Sequence, residues 1–310
     1  MKKLKAFDGK TIYYQNWLPA GRPQAIVQIV HGMAEHSGSY QELAEYFVKR
    51  DIAVFCHDQR GHGHTAGSKE DYGYLADQDG WQLLLSDIHQ LTDVIKSAYF
   101  DLPIYLYGHS MGSILVQGYI RRWGADIEGV LMSGMPVQSS LLQKIGCWIA
   151  KKEMQKCGAR HRSKRLSALS FGKYNRKFHK PETAYDWLSR DKEKVAAYIA
   201  DPWCGGTFSS GFFADMLGGI LDLQKSAGMK DIPHNLAFLF FTGERDATNS
   251  NGKRIWEVIN FYERHGFYDL EAIFYPDCRH DLKLELNREM IFADMLTWLD
   301  SKIRIWKKHR

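Results

Sequence analysis

The fold is decided by the stretch Ile104-Tyr105-Leu106-Tyr107-Gly108-His109-Ser110-Met111-Gly112. Residues 104–107 are apolar or aromatic and predict a buried β-strand, and residues 113–123 carry apolar side chains at helical spacing. Between them, residues 108–112 fit the pattern G-x-S-x-G, which places a serine on a sharp turn from a strand into a helix. The pattern predicts Ser110 as a nucleophile whose hydroxyl is held out of the sheet.

The two glycines of this pattern have a physical purpose. Gly108 and Gly112 lack a Cβ, so the strand and the helix can approach each other closely. The backbone N–H of Met111 then points from the start of the helix toward a developing oxyanion. So short a pattern also arises by chance, and an ordinary junction between a strand and a helix is the alternative interpretation.

Working outward, short apolar runs alternate with segments that have apolar residues three or four positions apart. The runs that predict strands are residues 25–30, 52–56, 104–107, 129–133, 236–242 and 270–275, and a last helix is predicted at about residues 288–303. Strands that alternate with amphipathic helices favour an α/β fold, in which a mostly parallel central sheet is flanked by helices on both faces.

This alternation is interrupted once. It stops after Gly134 and resumes at Leu236, and the residues between them contain no good strand pattern. We expect a helical insertion at the carboxyl edge of the sheet, where α/β folds place their binding crevice. The sequence therefore predicts a core of residues 1–135 and 232–310 and a helical cap of residues 136–231.

A serine hydroxyl becomes a good nucleophile only when an imidazole accepts its proton. In proteins that carry the serine on such a turn, the acid and then the histidine follow it along the chain. His280 lies just past the strand predicted at residues 270–275, whereas His265 lies in a helix-like segment and His309 in the C-terminal tail. We therefore predict His280 as the general base.

The predicted imidazole also needs a carboxylate that fixes its tautomer. Asp246 and Glu244 both follow the strand predicted at residues 236–242. We predict Asp246 as the catalytic acid and keep Glu244 as the rival. Asp281, beside the histidine, is expected to be solvated.

Composition sets broad limits on the function. The chain has 310 residues, 45% of them hydrophobic and 25% charged, and a formal net charge of +5, which is ordinary for a globular protein. No apolar run approaches the ~18 residues of a membrane span, and the basic start leads into Asp8-Gly9-Lys10 rather than an apolar segment. Five cysteines without metal-ligand spacing indicate a reducing, cytoplasmic location, and we expect neither a cofactor nor a metal.

Several motifs resemble the monoacylglycerol lipase and lysophospholipase family of α/β-hydrolases. They are HGMAEHS at 31–37, DQRGHG at 58–63, GHSMG at 108–112, DWLSRD at 186–191 and DPWCG at 201–205. Each motif is short, but five in the right order are specific, and the resemblance extends from about Phe7 to Leu299.

The resemblance implies an α/β-hydrolase fold with a mobile helical cap inserted after the sixth strand. It further implies oxyanion donors at the backbone N–H groups of Met33 and Met111. The implied activity is hydrolysis of monoacylglycerol or lysophospholipid esters through an acyl-enzyme intermediate. A small-ester carboxylesterase or acyltransferase and a non-catalytic protein that binds a hydrophobic ligand stay open as alternatives.

One position departs from the family pattern. The family usually has Pro-Val after the acid, where this chain has Ala247-Thr248, so we expect a looser loop there. Four further residues match family positions that we interpret as loop scaffolding, namely His31, Glu35, His36 and Arg60.

The predicted cap is strongly basic near its start. Between positions 151 and 177 the only acid is Glu153, and the basic residues are Lys151, Lys152, Lys156, Arg160, Arg162, Lys164, Arg165, Lys173, Arg176 and Lys177. These charges either attract an anionic lipid surface or form a solvated helix face. Nothing resembles a module that binds nucleic acid. Apolar and aromatic residues at the two ends of the predicted cap are expected to form cap core or to line an acyl tunnel, namely Leu141, Leu142, Ile145, Trp148, Ile149, Phe212, Phe213, Met216, Leu217 and Ile220.

Overall fold

The computed structural model describes residues 1–178 and 180–309. Within this part the chain forms one eight-stranded sheet in the order β1-β2-β4-β3-β5-β6-β7-β8. The strands are β1 (Lys2–Lys5), β2 (Thr11–Trp17), β3 (Ala25–Val30), β4 (Ile52–His57), β5 (Ile104–His109), β6 (Gly129–Ser133), β7 (Ala237–Gly243) and β8 (Leu270–Tyr275). The pairs from β4 through β8 are parallel, and β1 and β2 add antiparallel pairs at one edge. The predicted α/β fold is confirmed.

The helices cover both faces of this sheet. They are α1 (Gln41–Val48), α2 (Gly63–Ala66), α3 (Gly80–Ala98), α4 (Met111–Trp123), α5 (Ser140–Cys157), α6 (Lys164–Phe171), α7 (Lys192–Ala200), α8 (Ser210–Leu223), α9 (Ile255–Arg264) and α10 (Arg288–Lys308). Helices α1 and α10 contribute to the core on one face, and α3, α4 and α9 to the core on the other. Helices α5–α8 all lie between β6 and β7, where the sequence predicts the insertion.

The central strands explain why apolar runs predict this fold. Every residue of β3, β4, β5, β6 and β7 is buried. A strand that is covered on both faces needs apolar side chains at consecutive positions, which is the pattern found in the sequence. Among the described residues, no helix combines the length and apolar character needed to cross a membrane.

Several histidines are buried near the carboxyl edge of the sheet. Burial lowers the pKa of His57 and of His62 to about 3 and that of His109 to about 4, because the charged imidazolium loses its hydration. In the described part of the chain, neither ring nitrogen of His57 has a hydrogen-bond partner. These three imidazoles are therefore neutral at pH 7.

Candidate active site

The turn between β5 and α4 holds Ser110 in a strained conformation. Its φ is +51°, a left-handed value that is uncommon outside glycine. A Cβ on Gly108 would lie 2.7 Å from the carbonyl oxygen of Gly112, and a Cβ on Gly112 would overlap the carbonyl oxygen of Val30. Both glycines are therefore required for the close approach of strand and helix that presents the serine.

Three predicted residues from distant parts of the chain meet at this turn. Nε2 of His280 lies 3.0 Å from Oγ of Ser110, and Nδ1 of His280 lies 3.0 Å from Oδ2 of Asp246. Asp246 follows β7 and His280 follows β8, so neighbouring parallel strands deliver both side chains to the same edge. This arrangement can pass the serine proton to the imidazole while the carboxylate stabilises the imidazolium.

The Asp246 carboxylate is fully buried, and hydrogen bonds from protein groups replace those that it would accept from water. It accepts hydrogen bonds from the Thr248 N–H and hydroxyl, both at 2.8 Å, and from the Asn249 amide at 3.1 Å. Burial opposes ionisation, but His280 and these donors outweigh it and lower the pKa of Asp246. The rival Glu244 is exposed.

The expectation of a looser loop after the acid is wrong. The Thr248 hydroxyl donates to Asp246 and also lies 3.3 Å from Nδ1 of His280. Thr248 therefore adds polar contacts where the family's Pro-Val pair has no side-chain donor. An Asp followed two positions later by Thr is the signal that sequence reasoning missed, because such a pair forms local side-chain-to-backbone hydrogen bonds.

The predicted oxyanion donors flank the serine. Met111 is the first residue of α4, so its N–H has no acceptor within the helix. Met33 lines the cavity at Ser110, and the next residue, Ala34, has a positive φ of 66°. The Ala34 carbonyl accepts hydrogen bonds from the Tyr198 hydroxyl at 2.8 Å and from the Gly205 N–H at 2.9 Å. Both donors belong to the segment between β6 and β7, so this segment holds the loop after β3 in place.

A cavity of about 280 Å³ opens onto Ser110 and His280. One wall comes from core loops, and the other comes from the segment between β6 and β7. Residues from that segment that line the cavity are Ser167, Ala168, Phe171, Gly172, Ala184, Tyr185, Trp187, Leu188, Tyr198, Gly205 and Gly206. Apolar and aromatic side chains dominate this wall, as expected for a site that holds a hydrophobic ligand.

Trp187 joins this wall to the histidine loop. Its ring centroid lies 5.0 Å from that of His280, and its carbonyl accepts a hydrogen bond from the His280 N–H at 3.4 Å. The Leu188 carbonyl accepts from the Asp281 N–H at 2.8 Å. These contacts give a structural role to the DWLSRD motif, whose tryptophan the sequence analysis did not single out.

Asp281 is not solvated, contrary to expectation. Only 3% of its surface is exposed, and its Oδ2 lies 2.5 Å from the Lys283 ammonium. Lys283 also contacts the Glu35 carboxylate at 2.7 Å, and Glu35 accepts hydrogen bonds from the Gly32 N–H and the Tyr40 hydroxyl. Glu35, Asp281 and Lys283 thus form a buried charge cluster beside the cavity.

Among the described residues, one group of side chains has metal-ligand chemistry. Ligand atoms of His36, Asp201 and Cys204 lie within 4.8 Å of one another. However, Nδ1 of His36 accepts the Gly38 N–H at 3.2 Å, so in the neutral ring Nε2 carries the proton and donates to Asp201 at 2.9 Å. His36 therefore acts here as a hydrogen-bonded link between the loop after β3 and Asp201, and Nε2 has no lone pair for a metal.

The apolar start of α5 differs from the expectation of cap core or acyl tunnel. Leu141, Leu142, Ile145 and Trp148 are 68, 60, 47 and 63% exposed, and they lie on one side of the helix. We call these four residues the α5 apolar face.

Two of the basic residues between positions 151 and 177 bind other parts of the chain instead of projecting into solvent. Arg160 pairs with Asp71 and stacks over Tyr74, and Arg162 donates to the carbonyls of Thr207 and Lys69 at 2.6 and 2.7 Å. These two guanidinium groups therefore hold the loop between α5 and α6 against the loop between α2 and α3. By contrast, Lys144, Lys151 and Lys152 are exposed on α5 beside its apolar face.

Comparison with known proteins agrees with this geometry. Residues 21–287 match the family described as serine aminopeptidase, S33. A monoglyceride lipase of Mus musculus is 31% identical over 245 residues, covering 77% of this chain and 71% of the mouse protein. A monoacylglycerol lipase of Mycolicibacterium smegmatis is 25% identical over 297 residues, 95% of each chain. A carboxyl esterase of Bacillus coagulans has the same fold, with a TM-score of 0.89 at 23% identity over 97% of this chain and 98% of its own.

Proposed function

The chain belongs to the serine aminopeptidase S33 family, and we propose that it uses Ser110, His280 and Asp246 to cleave lipid-like esters through an acyl-enzyme intermediate. It is a serine ester hydrolase, and its relatives include monoglyceride lipases. The observation that carries the residue assignment is the continuous chain of contacts from Ser110 through His280 to Asp246.

In the proposed mechanism, the Ser110 oxygen attacks the ester carbonyl while Nε2 of His280 takes its proton. The N–H groups of Met33 and Met111 stabilise the oxyanion. The tetrahedral intermediate collapses, and His280 gives the proton to the departing alcohol. Water, activated by the same imidazole, then cleaves the acyl-enzyme and releases the fatty acid. Asp246 holds the imidazole in position throughout.

The substrate class is tested with a panel of esters. We expect faster hydrolysis of long-chain monoacylglycerols or lysophospholipids than of short nitrophenyl esters, because the cavity wall is apolar. A fluorophosphonate probe should label the protein at the same time. Preference for the shortest ester would favour the alternative of a small-ester carboxylesterase, and absence of labelling would favour a non-catalytic binding protein.

We further propose that residues 136–231 act as a cap that contacts an anionic membrane surface through the α5 apolar face. Exposed apolar side chains beside lysines are typical of a helix that lies at a lipid interface. The lysines would add electrostatic attraction to anionic lipid, and this attraction weakens as the salt concentration rises.

We also propose a cytoplasmic location, with which the five free thiols are consistent. We propose no cofactor and no nucleic acid partner.

Replacing two side chains of the α5 apolar face should weaken vesicle binding. The double variant Leu142→Ser/Trp148→Ser should lower binding to anionic vesicles more than tenfold, since burying each large apolar side chain is worth about 1.5–3 kcal/mol. Hydrolysis of a short soluble ester should change little. The matched control is Leu18→Ser/Trp256→Ser, which alters two exposed side chains outside residues 136–231. Equal binding by both double variants in co-sedimentation would contradict the proposal.

A further inference from the structure

The histidine of the candidate site lies on an irregular loop. This histidine loop, residues 276–287, joins β8 to α10 and places His280 between a turn and a short 3₁₀ helix. The N–H groups of residues 279–281 donate in turn to the Glu285 carboxylate and to the carbonyls of residues 187 and 188, at 2.7, 3.4 and 2.8 Å. Since backbone N–H groups away from water need acceptors, these three bonds fix the course of the loop at the histidine.

Glu285 is the acceptor that belongs to the loop itself, and its side chain is fully buried. Its Oε1 accepts the Arg279 N–H, whereas its Oε2 lies 2.8 Å from Nε of Arg190, a residue of the segment between β6 and β7. A buried carboxylate is costly unless it is paired and hydrogen-bonded. The position of the Glu285 side chain, and with it the bond to Arg279, therefore depends on Arg190.

Arg190 also joins the two ends of the stretch that carries the histidine. Its Nη2 lies 2.7 Å from Oδ1 of Asn287 and 3.3 Å from Sγ of Cys278. The Cys278 carbonyl in turn accepts the N–H of Arg245 at 2.9 Å, and Arg245 directly precedes Asp246. A guanidinium holds its donors in a rigid plane, so one side chain can fix several acceptors relative to one another.

The chemistry of the site depends on where this loop lies. Both ring nitrogens of His280 must stay at their distances of 3.0 Å, one from Ser110 and the other from Asp246. A displacement of the loop moves the ring relative to both partners at once. An error of ~1 Å in such a geometry can cost about 10²-fold in rate.

We propose that Arg190 is a positioning residue that holds the imidazole of His280 in register with Ser110 and Asp246 through Glu285 and the backbone of the histidine loop. This inference rests on the proposed ester hydrolysis. It gives one part of the segment between β6 and β7 a function in proton transfer, separate from that of the apolar wall, which contacts the substrate.

The test uses Arg190→Lys, which keeps a positive charge for the buried Glu285 but cannot reproduce contacts that Nε and Nη2 make at separate points. We measure kcat and KM for a short nitrophenyl ester and for a long-chain monoacylglycerol, well below the melting temperature. His280 acts in both acylation and deacylation, so kcat should fall for both esters by the same factor, at least about tenfold. The KM values should change less than about threefold, and labelling by a fluorophosphonate probe should slow in parallel.

A charge-removing pair of variants gives an independent comparison. Arg190→Met leaves the Glu285 carboxylate unpaired and should lower kcat further than Arg190→Lys does. Adding Glu285→Gln removes that charge and keeps an oxygen that can accept the Arg279 N–H, so the double variant should recover at least about threefold of the loss. Lower kcat in the double variant than in Arg190→Met would contradict the proposed role of Glu285.

Arg162→Lys is the matched control. Arg162 lies in the same inserted segment and donates to the carbonyls of Lys69 and Glu70, in the loop between α2 and α3. Because these contacts lead away from the histidine loop, kcat of this variant should stay within about twofold of the wild type even if its melting temperature falls.

Two results would overturn the inference. A higher KM for the monoacylglycerol with unchanged kinetics on the short ester would show that Arg190 shapes the acyl wall. An unchanged kcat with a lower melting temperature would show that Arg190 only stabilises the fold. If the wild type cleaved neither ester, the proposed function would be wrong as well, whereas an active wild type with an equally active Arg190→Lys contradicts this inference alone.

Discussion

Ser110→Ala is expected to lower kcat for every ester by at least about four orders of magnitude. Oγ of Ser110 lies 3.0 Å from Nε2 of His280, and without this hydroxyl the acyl-enzyme cannot form. Only the oxyanion donors and substrate binding then contribute a residual rate. Alanine and serine both carry a Cβ, so the substitution adds no new steric clash at the positive φ of this position. The melting temperature should therefore stay close to that of the wild type. Turnover and thermal unfolding measured on the same preparation check both expectations.

A second serine in the cavity provides the control. Ser167 also lines the cavity but belongs to the opposite wall, so Ser167→Ala should keep most of the activity and still react with a fluorophosphonate probe. If Ser110→Ala retained a tenth of wild-type turnover, Ser110 would not be the nucleophile.

Asp246→Asn should have the second-largest effect, a fall in kcat of about 10⁴-fold. An amide cannot stabilise the imidazolium, and its NH₂ group would face either the donors of Thr248 and Asn249 or Nδ1 of His280, which favours the wrong tautomer. Glu244→Gln alters an exposed carboxylate two residues away and should change kcat less than twofold. The pair of variants, assayed side by side, ranks the two acids. A larger loss in Glu244→Gln would transfer the role of the acid to Glu244.

The sequence predicts the fold well where burial dictates consecutive apolar residues. Strands β3 and β6 begin and end at the predicted residues, because fully buried strands have a strong apolar signal. Strands β1 and β2 escaped prediction, since β1 is the lysine-rich edge strand KKLK and β2 is only partly buried. Lysines protect such an edge against further pairing but remove the apolar pattern on which prediction depends.

The sequence likewise predicts some residues of the candidate site correctly and misses others. Ser110 stands in a local motif, and the parallel sheet brings the loops after β7 and β8 together, so topology alone predicts that Asp246 and His280 approach it. The burial of Asp281 depends on Lys283 and on Glu35, which is far away in the sequence. No local sequence pattern indicates that the distant Glu35 carboxylate contacts the same ammonium as Asp281. The sequence alone therefore predicts a solvated Asp281 side chain.

The buried neutral histidines make unfolding a proton-binding reaction in mild acid. In the unfolded chain an imidazole titrates near ~6.5, whereas the folded pKa values are about 3 for His57 and His62 and about 4 for His109. Between these limits the unfolded chain binds protons that the folded chain excludes, so stability is highest above pH 6.5 and decreases as the pH falls toward 4. Taken alone, three such groups would change the free energy of unfolding by ~4 kcal/mol per pH unit. Asp87 and Asp215 offset part of this change, because burial raises the pKa of each to about 6 and the folded chain therefore binds protons there between pH 6 and 4. Because a typical total is only about 5–15 kcal/mol, we expect the remaining loss to make the folded chain measurably less stable in mild acid than near neutral pH.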